Sequence, residues 1–278
     1  MNEGNGKTAL VTGSTDGVGR LVAKRLAQSG WRVLVHGRDR ARGAEVVAGI
    51  AAGGGTAEFF AADLSVLAEV RRLAAEVQKA TARLDLLINN AGIGSHGPRE
   101  VSADGHELRF AVNYLSGVLL TALLLPLLKK SAPARIVNVS SLGQEAIDFD
   151  DVMLTRDYSG GRAYRQSKLA QILFTIDLAQ ELEGSGVTVN ALHPATFMDT
   201  TMVRQNGVTP ISTVDEGADA ILRLAVSPDM AGRSGLYFNG QREARADAQA
   251  YDAQVRARLG KLSRELTGLA APKSVPAG

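Results

Sequence analysis

The sequence predicts a doubly wound α/β fold, a mostly parallel sheet with helices on both faces. Three observations predict it. Short apolar runs of strand length alternate with amphipathic segments of helix length over most of the 278 residues. The runs are mostly apolar rather than alternating, as strands buried on both faces should be. A glycine-rich turn joins the first run directly to the first helical segment.

Taken in order, the first strand covers 8–12 (TALVT) and its helix 18–29. A second strand at 32–36 (RVLVH) leads into a helix at 38–52, and Gly53-Gly54-Gly55 turns the chain into a third strand. A helix at 65–80, a fourth strand at 84–89 and a long helix at 103–129 follow. The pattern continues with a strand at 135–140, a helix at 162–183 and a strand at 187–192. From Gln241 the chain is rich in Ala, Arg, Glu and Gln, which reads as one or two surface helices, with 271–278 a frayed tail. No composition break or repeat divides the chain, so 1–278 is expected to be a single domain.

Composition closes off several function classes. The 31 basic and 29 acidic side chains leave a net charge of +2, too small a field to make nucleic acid a partner. The absence of cysteine excludes disulfides, thiolate catalysis and iron–sulfur clusters, and fits a reducing compartment. Histidines 36, 96, 106 and 193 lack zinc spacing, so no metal site is expected. The first seven residues contain no apolar core of a secretory signal. The most apolar stretch, 115–128, has 14 residues and is interrupted by Ser116, Gly117, Thr121 and Pro126, against the about 20 a membrane span needs. The expectation is a cytoplasmic protein with no membrane partner.

The first strand runs into Thr12-Gly13-Ser14-Thr15-Asp16-Gly17-Val18-Gly19. Glycines here allow positive φ and a close approach of a pyrophosphate, while the helix N-terminus supplies unpaired N–H groups and a positive dipole. Dinucleotide binding by Gly13, Thr15, Asp16, Gly17, Val18 and Gly19 follows. Arg38 lies nineteen residues past Gly19, where a carboxylate would bind the ribose hydroxyls of NAD. A guanidinium there pairs with a 2′-phosphate, so NADP is preferred and NAD is the alternative. Arg38 could also simply open a helix, and Asp39 beside it opposes its charge.

The glycine spacing Gly-x-x-x-Gly-x-Gly, Asn89-Asn90-Ala91-Gly92 after the fourth strand, and Tyr164-Arg165-Gln166-Ser167-Lys168 occur in that order. With these motifs the chain resembles the short-chain dehydrogenase/reductase family, a Rossmann fold, from Thr8 to about Gly240. The resemblance implies that Asp63 and Leu64 meet the adenine and that Asn90, Ala91 and Gly92 lie near the adenosine ribose. A structural role tying strands together is equally open to Asn89 and Asn90.

Tyr164 and Lys168 are four apart on a helix and so share a face. A phenol titrates near 10, and an adjacent ammonium favours its phenolate, which makes it usable as a general acid/base. The resemblance assigns Ser141 to the substrate oxygen, with Ser140 as its rival, and Lys168 also to the nicotinamide ribose. It likewise assigns Asn113 to a water in the proton relay. Pro194 and Thr196 are expected to meet the nicotinamide side. The family's Pro-Gly is Pro194-Ala195 here, and its usual cofactor-touching threonine falls on Asp199, beside Thr200. Met198, Met202 and Val203 could line an apolar pocket or pack a small helix.

The 22 residues between Ser141 and Tyr164, together with Leu192-His193-Pro194, resemble the retinol-dehydrogenase-like branch, which acts on apolar carbonyls and alcohols. The expected reaction is hydride transfer between NADP and a small, largely apolar carbonyl or alcohol substrate. An NAD-dependent alcohol dehydrogenase and a non-catalytic nucleotide sensor on the same fold are the alternatives. The long helices at 103–129 and 162–183 match those that pair subunits in the family, implying a homodimer or homotetramer unless the C-terminal helices block that face.

Overall fold

The computed structural model describes residues 4–205 and 207–270. Six parallel strands form the body of one sheet: β1 (Thr8–Val11), β2 (Arg32–Gly37), β3 (Thr56–Ala61), β4 (Leu86–Asn89), β5 (Ala134–Val139) and β6 (Val187–His193). A short parallel strand β7 (Tyr237–Asn239) and an antiparallel β8 (Arg242–Ala244) extend it, giving the order β3-β2-β1-β4-β5-β6-β7-β8. Strand order reverses between β1 and β4, and such a reversal opens a crevice beyond the carboxyl ends of the strands.

Side-chain alternation along each strand fills both faces. Ala9, Val11, Val33, Val35, Leu86 and Ile88 pack with α1 (Gly17–Gln28), α2 (Arg40–Ala52) and α7 (Val214–Val226). Leu10, Leu34 and Leu87 point the other way, onto α3 (Leu67–Ala80), α4 (Ser116–Lys130) and the C-terminal end of α5 (Gly160–Glu181). Each fully buried side chain of this size contributes about 1.5–3 kcal/mol. Apart from the start of the helix expected at 103, the ends of the expected helices before β6 fall within two residues of the sequence reading. Asp39 caps α2 by accepting from Ala41 N and Arg42 N, so that helix begins two residues later than expected and excludes Arg38.

Three expectations need correction. The helix predicted from 103 begins at Phe110, and Phe110–Leu115 is wound as a π-helix before α4. Phe110–Lys130 is therefore 21 residues long and apolar enough to cross a membrane; more than half of its most apolar window is buried in the core. Burial, rather than shortness, makes it read as a core helix. The region after 241 begins with β8, not a helix, and continues through a 3-10 turn (Ala248–Tyr251) into α8 (Ala253–Thr267). Helix α8 is half sunk, burying Leu259 with Ser263 and Thr267, and the Tyr114 hydroxyl meets Ser263 Oγ at 2.8 Å. Strand β7, α7 and the short α6 (Thr201–Gln205) had no sequence expectation. The predicted frayed tail at 271–278 lies outside the described residues.

Candidate active site

The glycine turn is built as the sequence requires. Gly13 (φ +64°) and Gly17 (φ +52°) occupy left-handed conformations, and a methyl at Gly13 would lie 2.8 Å from Ala91 Cα. A methyl at Gly19 would stand 2.4 Å from both Gly13 O and Asn90 Nδ2. Asp16 caps α1 by accepting from Gly17 N at 2.7 Å. The helix's first-turn amides lack intrahelical acceptors by geometry, and no acidic side chain sits in that turn, so an anion fits there. Thr15 packs against Gly37 at the end of β2, and Val18 is buried under the turn.

Across the strand reversal, Asn90 ties the two halves together. Its Nδ2 donates to Thr12 O (2.9 Å) and Gly13 O (3.1 Å), and Thr12 Oγ1 accepts from the amides of Asn90 and Ala91. Gly92 lies beside Asn113 and Lys168, with the place of its absent methyl 3.2 Å from Asn113 Oδ1 and 3.5 Å from Lys168 Nζ. Asn89 points inward instead, donating to Thr121 and Asn138.

At the end of β2, His36 anchors the turn. Its Nδ1 accepts from Gly13 N (3.1 Å) and its Nε2 faces Ala62 O (3.2 Å), the pattern of a neutral ring protonated at Nε2. Burial pulls its pKa down to about 4, against an opposing hydrogen bond to Ala62 and the charge of Asp63. Arg38 extends into solvent, 70% exposed, with Asp63 at 3.9 Å. The Asp39 carboxylate is spent on the α2 cap and faces Arg42 at 3.4 Å. Asp63 Oδ1 accepts from Ser65 N, and Leu64 is buried beside Asn89, Ala91 and Asn113.

The strands' carboxyl ends gather the remaining polar groups. Ser140 Oγ donates to Lys168 O at 2.7 Å, so this hydroxyl is committed to the backbone of α5. The neighbouring Ser141 hydroxyl accepts from Gly143 N at 3.0 Å and lies on the same side of Gly143 as the Tyr164 ring. Burial pushes the Tyr164 phenol up, and the nearby Ser141 hydroxyl acts against that. Lys168 Nζ lies 5.7 Å from the Tyr164 ring centroid and donates to Val139 O at 2.9 Å. Burial pulls its ammonium down to about 7. Asn113 sits in the π-helix, accepting from Ile93 N (2.8 Å) and donating to Ile93 O and Ser167 Oγ. Extra turns of this kind are frequent at functional sites.

Beyond β6, Pro194 is buried and the Thr196 hydroxyl meets His193 Nε2 at 3.0 Å. Asp199 turns away to pair with Arg204. It is Thr200 that approaches the glycine turn, its methyl 3.3 Å from where a Gly17 side chain would begin. Thr201 follows with a 2.8 Å hydrogen bond to Asp16. Sequence reasoning left Thr200 and Thr201 out of the site; the only signal was their adjacency to Asp199. Met198 packs into the core against Val18 and Gly217, whereas Met202 is exposed and Val203 half-buried on α6. Among the described residues, no group of three His, Cys, Asp or Glu side chains is placed to hold a metal.

This arrangement has close parallels. The family model for the short chain dehydrogenase matches residues 7–210. Human retinol dehydrogenase 13 is 40% identical, with 96% of this chain and 86% of that protein covered. A crystal structure of an uncharacterized protein from Mycobacterium paratuberculosis superposes with a TM-score of 0.81 at 31% identity, covering 97% of this chain and 96% of that one. A short chain dehydrogenase from Burkholderia cenocepacia, solved in complex with NADP, gives 0.69 at 29% identity over 85% and 96% of the two chains.

Proposed function

The chain belongs to the retinol-dehydrogenase-like branch of the short-chain dehydrogenases, and on that premise we propose that it is an NADP-dependent oxidoreductase for a small, largely apolar carbonyl or alcohol. The observation that carries this reading is the Ser141 hydroxyl and the Tyr164 ring brought together beside Gly143, with the Lys168 ammonium 5.7 Å from the same ring's centroid. The glycine turn supports a bound dinucleotide, because Gly13 and Gly19 let the turn close tightly on Ala91 and Asn90 while the first-turn amides of α1 are left without intrahelical acceptors.

When bound, the nicotinamide supplies or takes up the hydride. Tyr164 donates its phenolic proton to the carbonyl oxygen in reduction, and removes the alcohol proton in oxidation. Ser141 hydrogen-bonds the same oxygen, and Lys168 stabilises the phenolate left behind and holds the nicotinamide ribose hydroxyls. Asn113 has its amide occupied by Ile93 and Ser167, so a relay water would sit on its backbone carbonyl. Arg38, Asp63 and Leu64 receive the adenosine end, with Asn90, Ala91 and Gly92 along its ribose and Pro194 and Thr196 at the nicotinamide end. Arg38, exposed while Asp39 is spent on its cap, selects the 2′-phosphate.

The reading extends to setting and assembly. It treats the chain as one dinucleotide-binding and catalytic unit in the cytoplasm, assembled as a homodimer or homotetramer. Supporting the first, the apolar helix Phe110–Lys130 carries Asn113 and lies mostly in the core. Because α8 packs on α5, subunit pairing would use the α4 side, where Leu125 and Leu127 are only partly buried. Cell fractionation and sedimentation test these two points.

The experiment for the activity is oxidation of NADPH and NADH, run in parallel over aldehydes, ketones and quinones. The reading expects turnover with NADPH and a fall of at least about a hundredfold in Tyr164→Phe, with dinucleotide affinity unchanged. Undiminished turnover in that variant would remove Tyr164 from its role.

A further inference from the structure

The segment after β4 is held by an ion pair that the reaction itself does not use. Arg109 and Glu107 have side chains only 3% and 1% exposed and lie 3.5 Å apart. Arg109 Nε donates to Gly94 O at 2.8 Å and its Nη2 to His96 O. Its Nη1 donates to the Tyr158 hydroxyl at 2.5 Å, which in turn donates to Glu107 Oε1 at 3.1 Å. The other Glu107 oxygen accepts from Phe110 N, at the start of the π-helix that contains Asn113. A buried charge pair is tolerable only when its donors and acceptors are occupied; here the carbonyls of Gly94 and His96 and the Tyr158 hydroxyl take the Arg109 donors, and Tyr158 and Phe110 N serve Glu107.

A second contact fixes where that backbone goes. Gly160, the first residue of α5, has ordinary negative φ, yet a methyl there would lie 2.1 Å from Ser95 O and 3.2 Å from Gly97 O. The glycine is needed for space. It lets the 95–97 main chain press against α5 one helical turn before Tyr164. Ile93, at the other end of the segment, is bonded through both its backbone groups to Asn113. Arg99 completes the attachment by donating to Met153 O and Leu154 O of the insertion that precedes Tyr164.

We propose that Arg109 and Gly160 are positioning residues that determine substrate affinity: they seat 93–97 as a fixed wall of the carbonyl cleft beside Tyr164. The proposal rests on the oxidoreductase reading for its substrate, but the seating of the wall stands on the contacts alone. The clasp shares α5 and the end of the β4 turn with the proposed cofactor site, but none of its hydrogen bonds or close contacts falls on a residue placed at the dinucleotide, so the effect falls on KM rather than on dinucleotide binding.

The test compares wild type with Gly160→Ala, Tyr158→Phe and Arg109→Lys. Alanine at the first helical position favours the helix by itself, so a loss in Gly160→Ala reports the wall and not helix stability. Gly160→Ala is expected to raise KM for the best carbonyl at least tenfold, with kcat within threefold and NADPH dissociation constant unchanged. Backbone amides of 93–97 should exchange hydrogen at least tenfold faster. Tyr158→Phe should move the same quantities in the same direction by less, and it keeps the question open to measurement if Arg109→Lys does not fold. Unchanged KM and exchange in Gly160→Ala, or NADPH affinity falling in step with KM, would overturn the proposal. If wild type turns over no carbonyl, the oxidoreductase reading fails separately, and the exchange rates alone decide whether the clasp exists.

Discussion

The Thr201 hydroxyl donates to the Asp16 carboxylate at 2.8 Å, joining the first turn of α6 to the cap of α1 across 185 residues of sequence. Asp16 Oδ1 simultaneously receives Gly17 N, so one carboxylate shapes the glycine turn and holds the segment after β6 over it. Thr200 is thereby brought against Gly17. A hydrogen bond to a charged acceptor is worth about 1.5–3 kcal/mol at most, less where exposed. Thr201→Val is therefore expected to weaken dinucleotide binding by about three- to tenfold while leaving Tyr164 chemistry alone. Fluorescence titration with NADPH checks it, and an unchanged dissociation constant removes the latch from cofactor binding.

Cofactor preference should reside in one side chain. Arg38 is exposed, and its nearest acid, Asp63, stands off at 3.9 Å. Replacing Arg38 with Ala removes a charge-assisted pair to the 2′-phosphate, worth about 1.5–3 kcal/mol. NADPH affinity should fall by roughly ten- to a hundredfold, and NADH affinity should hold. Equal loss for both cofactors would place Arg38 outside phosphate selection.

Acid should loosen the glycine turn through His36. Its folded pKa of about 4 lies below the ordinary value of 6.5, so between those limits the unfolded chain binds more protons. Stability from this residue is complete above about pH 6.5 and is lost as pH falls toward 4, amounting to about 3 kcal/mol. His193, also pulled down to about 4 by burial and by Lys168, acts with the same sign. Urea unfolding between pH 7 and 4 should show a shallower loss in His36→Gln than in wild type. Parallel curves would exclude the histidine as the source.

Helix α8 should matter to the whole domain. Leu259 is 1% exposed and packs with Tyr114, Leu169 and Leu173. Leu259→Ala should cost about 2–5 kcal/mol by the lost burial and the cavity left behind. Chemical denaturation measures this, and a loss under 1 kcal/mol would return α8 to the role of a surface appendage.

The contrast between α8 and the glycine turn shows which features local sequence carries. The turn's glycines and the Tyr164–Lys168 face follow from spacings of a few residues, whereas the Asn90 clip reaches across the strand reversal to Thr12 and Gly13 and only the fold decides it against ligand contact. Helix α8 looked superficial because its inner face holds Ser263, Thr267 and Arg256, polar residues whose burial depends on partners in the π-helix and α5. Strand β7 has three residues, too few for any periodicity to register. Between Ser140 and Ser141 only the family motif favoured the second, and the end of β5 gives the physical reason: the Ser140 hydroxyl is bonded to the backbone of α5, while that of Ser141 lies on the Tyr164 side of Gly143. The π-helix around Asn113 leaves no compositional mark, because it differs from α-helix by one extra residue in a turn.

The reversal of strand order between β1 and β4 has a practical consequence for anyone wishing to re-engineer this protein. Residues proposed to choose between the two nicotinamide cofactors lie on the β2–β3 side of that boundary, and those proposed to handle protons lie on the β4–β6 side. Besides the Asn90 clip and the Asp16–Thr201 latch, the two groups are joined by the β1–β4 pair and by the packing of α1 on α7 and of α3 on α4, away from either set of proposed residues. Redox currency and substrate range are thus adjustable in separate campaigns of mutagenesis, and gains from each should combine without mutual interference.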